Sequence, residues 1–264
     1  MIPVYKYYSP TDYNFDALEN HYFFFSKAEK LNDPFDVSSK LINVSPCFKE
    51  YIEKSLKGNI NFSNKYGTCS FSKNGCNKPM WASYADNYSG FVVEYDEERF
   101  VELTKELMTP IPYFDVHYVD SCPNLDRKDT IIYYKNIGDK AELSFRIGDI
   151  CHNGCINEKQ IDRIFQYLWS IKEKDGWKHE QEKRMFLGEI PLNSGSHMVK
   201  QEDNGYKVRF PEYFVKRIIV GYNMSSDNIE KMKNIARKYG MDMLHEISVS
   251  DIPFVLEIKE KFPL

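Results

Sequence analysis

Runs of aromatic and β-branched residues recur along the chain at uneven intervals, and this spacing constrains the fold more than any other feature. VYKYY (4–8), HYFFFS (21–26), GTCSFS (67–72), GFVVEYD (90–96) and VKRIIVG (215–221) each read as a strand. Residues 112–119 and the late runs MDMLHEI and PFVLEI read the same way. Helical stripes fall between them without a strict βαβ rhythm. Phe15 and Leu18 begin a short helix that Asn20 ends, and Phe48, Tyr51, Ile52 and Leu56 mark a helix over 47–57. LNDPFD (31–36) is a turn, with Asp33 and Asp36 around Pro34. Pro79 opens a helical turn that runs to 86, and Asp96 caps a helix carrying Phe100, Leu103 and Leu107. Asp227 with Glu230 reads as a capping box for a helix that buries Ile229, Met232, Ile235, Ala236 and Tyr239 and stops at Gly240. Residues 121–176 read as mostly helical, with Ile161, Ile164, Phe165, Leu168 and Trp169 as their clearest stripe. The sum is an α+β chain. No repeat, low-complexity tract or long linker divides it. Residues 1–264 are therefore expected to form a single domain with a largely helical insertion near 121–176.

Composition excludes several classes. The net charge is −4, from 35 basic and 39 acidic residues, and no basic block appears, so there is no strong nucleic-acid signature. No apolar run approaches the roughly 20 residues of a membrane span, and no secretory signal precedes the first strand. A cytoplasmic protein is expected. Its six cysteines are then expected as free thiols. Cys151, His152 and Cys155 in CHNGC offer three possible zinc ligands, but a structural zinc site wants four, and the other cysteines make no second short-spaced pair. No metal is expected. No Gly-rich phosphate loop and no G-x-S-x-G elbow occurs. Aromatic residues reach 15% of the chain, which suits a packed core and a stacking pocket alike.

One stretch carries candidate chemistry. In WKHEQEKRMF (177–186), Glu180, Glu182 and Arg184 point to one face if the stretch is a strand. Neighbouring carboxylates on that face lie roughly 7 Å apart, beside a fixed positive charge. On a helix, Glu180 and Arg184 form a solvated pair worth a few tenths of a kcal/mol.

Four stretches in order, YKYYS, FFFSKAEKLNDPFD, MWASYADNYSGFVVEYD, and WKHEQEKRMF with the later VKRIIVGYNMS, resemble the bacterial proteins grouped as domain of unknown function 2971, over nearly the whole chain. A weaker resemblance points to ADP-ribosyltransferases. These carry an Arg or His on an early strand, Ser-x-Ser or Tyr on a middle strand and a late Glu, often Glu-x-Glu. Here Ser70-Phe71-Ser72 and Glu180-Gln181-Glu182 follow that order. The early mark departs: where the 2971 pattern has Lys-Tyr-Arg, this chain has Lys6-Tyr7-Tyr8, a phenol in place of a cation.

The second resemblance implies split mixed or antiparallel sheets with flanking helices, and NAD as substrate. Glu182 would hold the ribose hydroxyl and stabilise an oxocarbenium-like transition state, and Glu180 would orient or deprotonate the acceptor. Ser70 or Ser72 would support the glutamate or the ribose. Trp81 and Tyr84 would stack on nicotinamide or adenine, while Lys6, Tyr8 and Arg184 complete the cofactor side. The partners are then NAD or a related nucleotide and an unknown macromolecular acceptor, in a toxin or antiphage effector. Two alternatives stand beside this. One is a metal-dependent nuclease using Asp33, Asp36, Glu180 and Glu182, with Lys183 beside them. The other is a non-catalytic protein that binds a nucleotide or a protein. In plain packing terms Trp81 and Tyr84 are core, and Ser70 and Ser72 are surface hydrogen-bonders.

Overall fold

The structure is a computed structural model that describes residues 2–27, 30–33, 35–36, 67–107, 111, 113–120, 133–137, 140–147, 150–156, 170–187 and 198–264. Its strands run in the order β1 (Pro3–Tyr8), β2 (Tyr22–Ser26), β3 (Gly67–Ser72), β4 (Phe91–Asp96), β5 (Tyr113–Asp115) and β6 (His117–Val119). There follow β7 (Tyr133–Ile137), β8 (Lys140–Ile147), β9 (Ile150–Ile156), β10 (Ile171–Glu173) and β11 (Glu182–Leu187). The last are β12 (Val199–Glu202), β13 (Gly205–Arg209), β14 (Val215–Val220), β15 (Met243–Val249) and β16 (Leu256–Pro263). The architecture is α+β, with a large mixed sheet and few helices.

The chain divides into two compact units. The first comprises Met1–Ser26, Gly67–Asp115 and His179–Leu264, and the second Lys27–Tyr66 and Val116–Lys178.

The first unit is built on one sheet in the order β12-β13-β2-β3-β1-β4-β14-β15-β16, with β11 added on β3 and β5 on β11. Every pairing is antiparallel except β14 with β15. That parallel pair needs a crossover, which the helix Ser226–Lys238 supplies. Strand β3 is the branch point. Along one edge β11 pairs with it from Glu182 opposite Ser72 to Leu187 opposite Gly67. The other edge is shared, because Ser26 of β2 pairs with Thr68 and Tyr5 of β1 pairs with Ser72. The sheet therefore forks at β3.

Alternation along the strands sorts side chains to two faces. On one face Val4, Tyr8, Phe23, Phe25, Phe71, Val93, Tyr95 and Ile218 join the helical residues Phe15, Leu18, Phe100, Leu103, Met232 and Ile235 in the main core. On the other, Tyr7, Val92, Ile219 and Ile247 pack under Met80 and Trp81 of the helix Lys78–Ser83. Its N-cap is Asn77, and Pro79 sits in its first turn, where a missing amide costs nothing. The helix Asp12–Glu19 ends at Asn20, and Asp96 caps the short 3-10 turn leading into Phe100–Glu106, both as the sequence indicates. The cap of Ser226–Lys238 differs. Ser225, not Asp227, accepts the first-turn amide, from Asn228, because the extended backbone a cap requires falls at Ser225.

In the second unit β6 and β10 pair in parallel, and β7, β8 and β9 form an antiparallel meander. The expectation of a largely helical 121–176 is corrected here: most of its described residues are strand. The signals were present in KAELSFRI, where Ala141, Leu143, Phe145 and Ile147 alternate with polar residues. The sequence also has Gly-Asp at 138–139 and 148–149 on either side of it, a dipeptide pattern that favours two-residue hairpin loops. CHNGC lies within β9. The stripe from Ile161 to Trp169 and the expected helix over 47–57 lie outside the described residues. The expected strand over 112–119 breaks at Val116 into β5 and β6, which join different sheets. The Asp33 carboxylate accepts from the Phe35 amide, so it is a turn residue, and Lys172 and Asp36 form a buried ion pair at 3.7 Å. No helix among the described residues is long and apolar enough to cross a membrane.

Candidate functional site

The late acidic run lies in the first unit, and its geometry differs from a plain strand. Lys178–Glu180 is a 3-10 turn, Gln181 adopts a left-handed backbone at φ 48°, and β11 begins only at Glu182. A non-glycine residue in that region is uncommon and needs outside support. The Lys73 amide gives it, donating to the Gln181 carbonyl at 3.0 Å. Glu180 therefore leaves the strand, and only Glu182 and Arg184 share a strand face.

Neither carboxylate is wet. Glu180 is 3% exposed, Glu182 4% and Arg184 1%. Arg184 grips Glu182 with both arms, Nε to Oε1 at 2.6 Å and Nη2 to Oε2 at 3.0 Å. The Tyr84 hydroxyl donates to Oε1 of Glu180. Ser72 joins the two. It faces Glu182 across the β3–β11 ladder, and its hydroxyl donates to the Glu180 carbonyl at 2.8 Å. Ser70 faces Arg184 in the same ladder.

Helix Lys78–Ser83 is fastened to this centre by its own cap. Asn77 accepts from the Met80 amide, donates through its side chain to the His179 carbonyl, and donates its amide to the Tyr7 hydroxyl at 3.3 Å. The Tyr7 hydroxyl in turn donates to the Asn74 carbonyl at 2.6 Å. Sequence reasoning missed Asn77 and Tyr7. The signal for Asn77 was an Asn two residues before Pro79, a helix-start pattern. Tyr7 had none beyond its place in an aromatic strand.

Trp81 is fully buried. It stacks on Tyr88 at 5.8 Å, meets Tyr7 edge-on at 5.6 Å and donates its indole N–H to the Gly75 carbonyl at 2.8 Å. Its ring is committed to the core. Tyr84 is half-buried beside Glu180.

The structure does not bring Lys6 and Tyr8 to this face. Tyr5, not Lys6, is the residue opposite Ser72, so Lys6 and Tyr8 point to the other side of the sheet. Tyr8 stacks on Phe91 at 5.0 Å within the main core and lies 3.4 Å from the Tyr95 hydroxyl, and burial pushes its own hydroxyl far up from the ordinary tyrosine value. Lys6 reaches into the fork, donating to the Ser70 carbonyl at 3.0 Å over the rings of Tyr8 and Phe71. It satisfies an acceptor between the two points where β2 and β1 meet β3. Asp33 and Asp36 belong to the second unit. Among the described residues no three His, Cys, Asp or Glu gather as a metal-holding group.

A second polar cluster sits farther along the same face. Arg217 pairs with Glu94, Nε to Oε2 at 2.9 Å, and Tyr5 stands opposite Glu94 in the β1–β4 ladder. Half-buried His245 lies beside them on β15, its Nδ1 buried with no hydrogen-bond partner. Burial and then the Arg217 charge hold its pKa below the ordinary value of 6.5. The unfolded chain therefore binds a proton that the native state resists. This residue's contribution to stability is intact above the unfolded value and falls as pH drops below it. His245→Gln should flatten the loss of thermal midpoint between about pH 7 and 5.5, ahead of the carboxylate range near pH 4. An unchanged slope would remove His245 from the account.

A sequence model of a family described as a protein of unknown function, DUF2971, matches residues 80–185. The match is narrower than the nearly full-length resemblance expected from the four stretches. It takes in Trp81, Tyr84, Glu180, Glu182 and Arg184, and leaves out Lys6, Tyr8, Ser70 and Ser72. No curated protein and no solved structure matches the chain.

Proposed function

We propose that the acidic centre acts on the ribosyl bond of NAD, as an ADP-ribosyltransferase-like enzyme that modifies a macromolecule or cleaves the dinucleotide. The observation that carries this reading is the pair of buried glutamates, Glu180 and Glu182, at opposite ends of one short kink, their carboxylates held by Tyr84 and Arg184 and their backbone beside Ser72. Breaking the bond to nicotinamide builds positive charge on the ribose. A fixed carboxylate in a water-poor setting stabilises that charge more than a solvated one. Glu182, immobilised by Arg184, holds the ribose hydroxyl and faces the developing charge. Glu180, oriented by Tyr84, positions or deprotonates the acceptor. Lys6, Tyr8 and Trp81 have no part in this reading, since all three are engaged elsewhere. A toxin or antiphage effector is the role such an activity would serve.

The two-armed grip of Arg184 on Glu182 favours a second reading, a nucleotide-binding protein without turnover. One experiment separates the two. The folded protein is incubated with NAD labelled in both halves, with and without cell extract. Free nicotinamide is expected, with the other label on a macromolecule or as ADP-ribose. Glu180→Gln, which leaves the Glu182–Arg184 pair in place, should lower release by about 10²-fold or more. Binding of NAD without release supports the second reading. A reaction that requires Mg²⁺ and ignores NAD points to the nuclease.

A further inference from the structure

The wing formed by β2, β13 and β12 carries a cleft unrelated to the acidic centre. Its volume is about 430 Å³, and it is lined by Asp16, Asn20, Tyr22, Met198, Lys200, Lys207 and Arg209. That size suits a small-molecule ligand. Strand register explains the charge. Arg209 stands opposite Tyr22, Lys207 opposite Phe24, and Lys200 opposite Lys207, so three cations from β12 and β13 share one face of the wing. In a chain of net charge −4, this is a local reversal of sign.

Among the described lining residues Asp16 is the one carboxylate, and it is already engaged; Glu202 beside the cleft also pairs with Lys207 at 3.5 Å. Asp16 accepts from the Tyr22 hydroxyl at 2.7 Å, from the Asn20 amide at 2.6 Å and from Lys207 at 3.5 Å. The Tyr22 bond leads in holding it below the usual carboxylate range. Lys207 is also anchored over the Tyr22 ring, at 4.4 Å. Lys200, 76% exposed, is paired with Glu202 at 3.3 Å, a surface contact worth little and easily exchanged. Arg209 is exposed, and its guanidinium makes no hydrogen bond or ion pair among the described residues. Its planar fork matches two phosphate oxygens at once.

We propose that this cleft binds a small phosphate-bearing molecule, with Arg209 taking the phosphate bidentately and Lys200 and Lys207 supplying charge on either side. The site is independent of the acidic centre and of the reaction assigned to it. The test is calorimetric titration of the whole protein with inorganic pyrophosphate, adenosine 5′-monophosphate and adenosine. Saturable binding of the two phosphate-bearing probes, and none of adenosine, is expected. The relative strength of the two shows whether the nucleoside adds anything. Arg209→Ala, at an exposed position, should weaken binding at least tenfold, and raised salt should weaken it further. Glu180→Gln should leave it unchanged, which separates this cleft from binding at the acidic centre. No saturable binding, equal binding of adenosine, or affinity indifferent to Arg209→Ala would each overturn the proposal.

Discussion

Arg184→Met should lower the unfolding free energy by about 3–5 kcal/mol, the cost of stripping a buried charge of its partner. The wild-type guanidinium is almost wholly buried, and both its contacts to Glu182 are short. Methionine fills much of the space but removes both Arg184 bonds and the Arg184 charge from the enclosed Glu182 carboxylate. The carboxylate must then take up a proton or draw in water. A companion variant sharpens the result. Arg184→Met with Glu182→Leu removes both charges, and much of the loss should return, since apolar residues often replace such pairs at little cost. Urea unfolding followed by circular dichroism measures both. A loss below about 1 kcal/mol for the single change would mean that the pair behaves as a solvated surface contact. The same logic makes Glu182→Gln a poor first probe of chemistry, because its effects on fold and on reaction would be mixed.

Trp81→Ala should cost a further 3–5 kcal/mol or so, by the ordinary penalty for deleting a large buried aromatic. The indole is fully enclosed, sandwiched on Tyr88 and edge-on to Tyr7. Its loss also leaves the Gly75 carbonyl without the indole proton, next to the loop that carries Asn77. Trp81→Phe keeps most of the packing and loses that one bond, so it should cost clearly less. If Trp81→Ala is nearly silent in thermal and urea unfolding, the ring is not core in solution, and its assignment as a stacking platform revives.

How far the sequence reaches is visible in particular places. The aromatic strands, the caps at Asn20 and Asp96, and the helix opened by Pro79 all rest on local patterns that survive into the fold. The burial of Trp81 follows from ordinary packing. What failed depended on register or on distant support. Nothing local decides whether Tyr5 or Lys6 lies opposite Ser72, and a one-residue slip exchanges the faces. The departure of Glu180 from the strand turns on Gln181, whose unusual backbone is secured by Lys73, far away in sequence. The 133–156 meander is a different case. Its alternation and its Gly-Asp dipeptides were in plain view, but a helical reading of the flanking stripe overrode them.

The fork at β3 has a mechanical consequence. Neighbouring strands in a sheet rotate by roughly 20–25° each, so eleven in unbroken succession would wind well past a half-turn. Branching divides that winding into separate helicoids that begin on a common strand. β3 is thus the pivot of both, the part displaced least when either wing flexes, and Ser72 stands on it, with Glu182 facing it from β11.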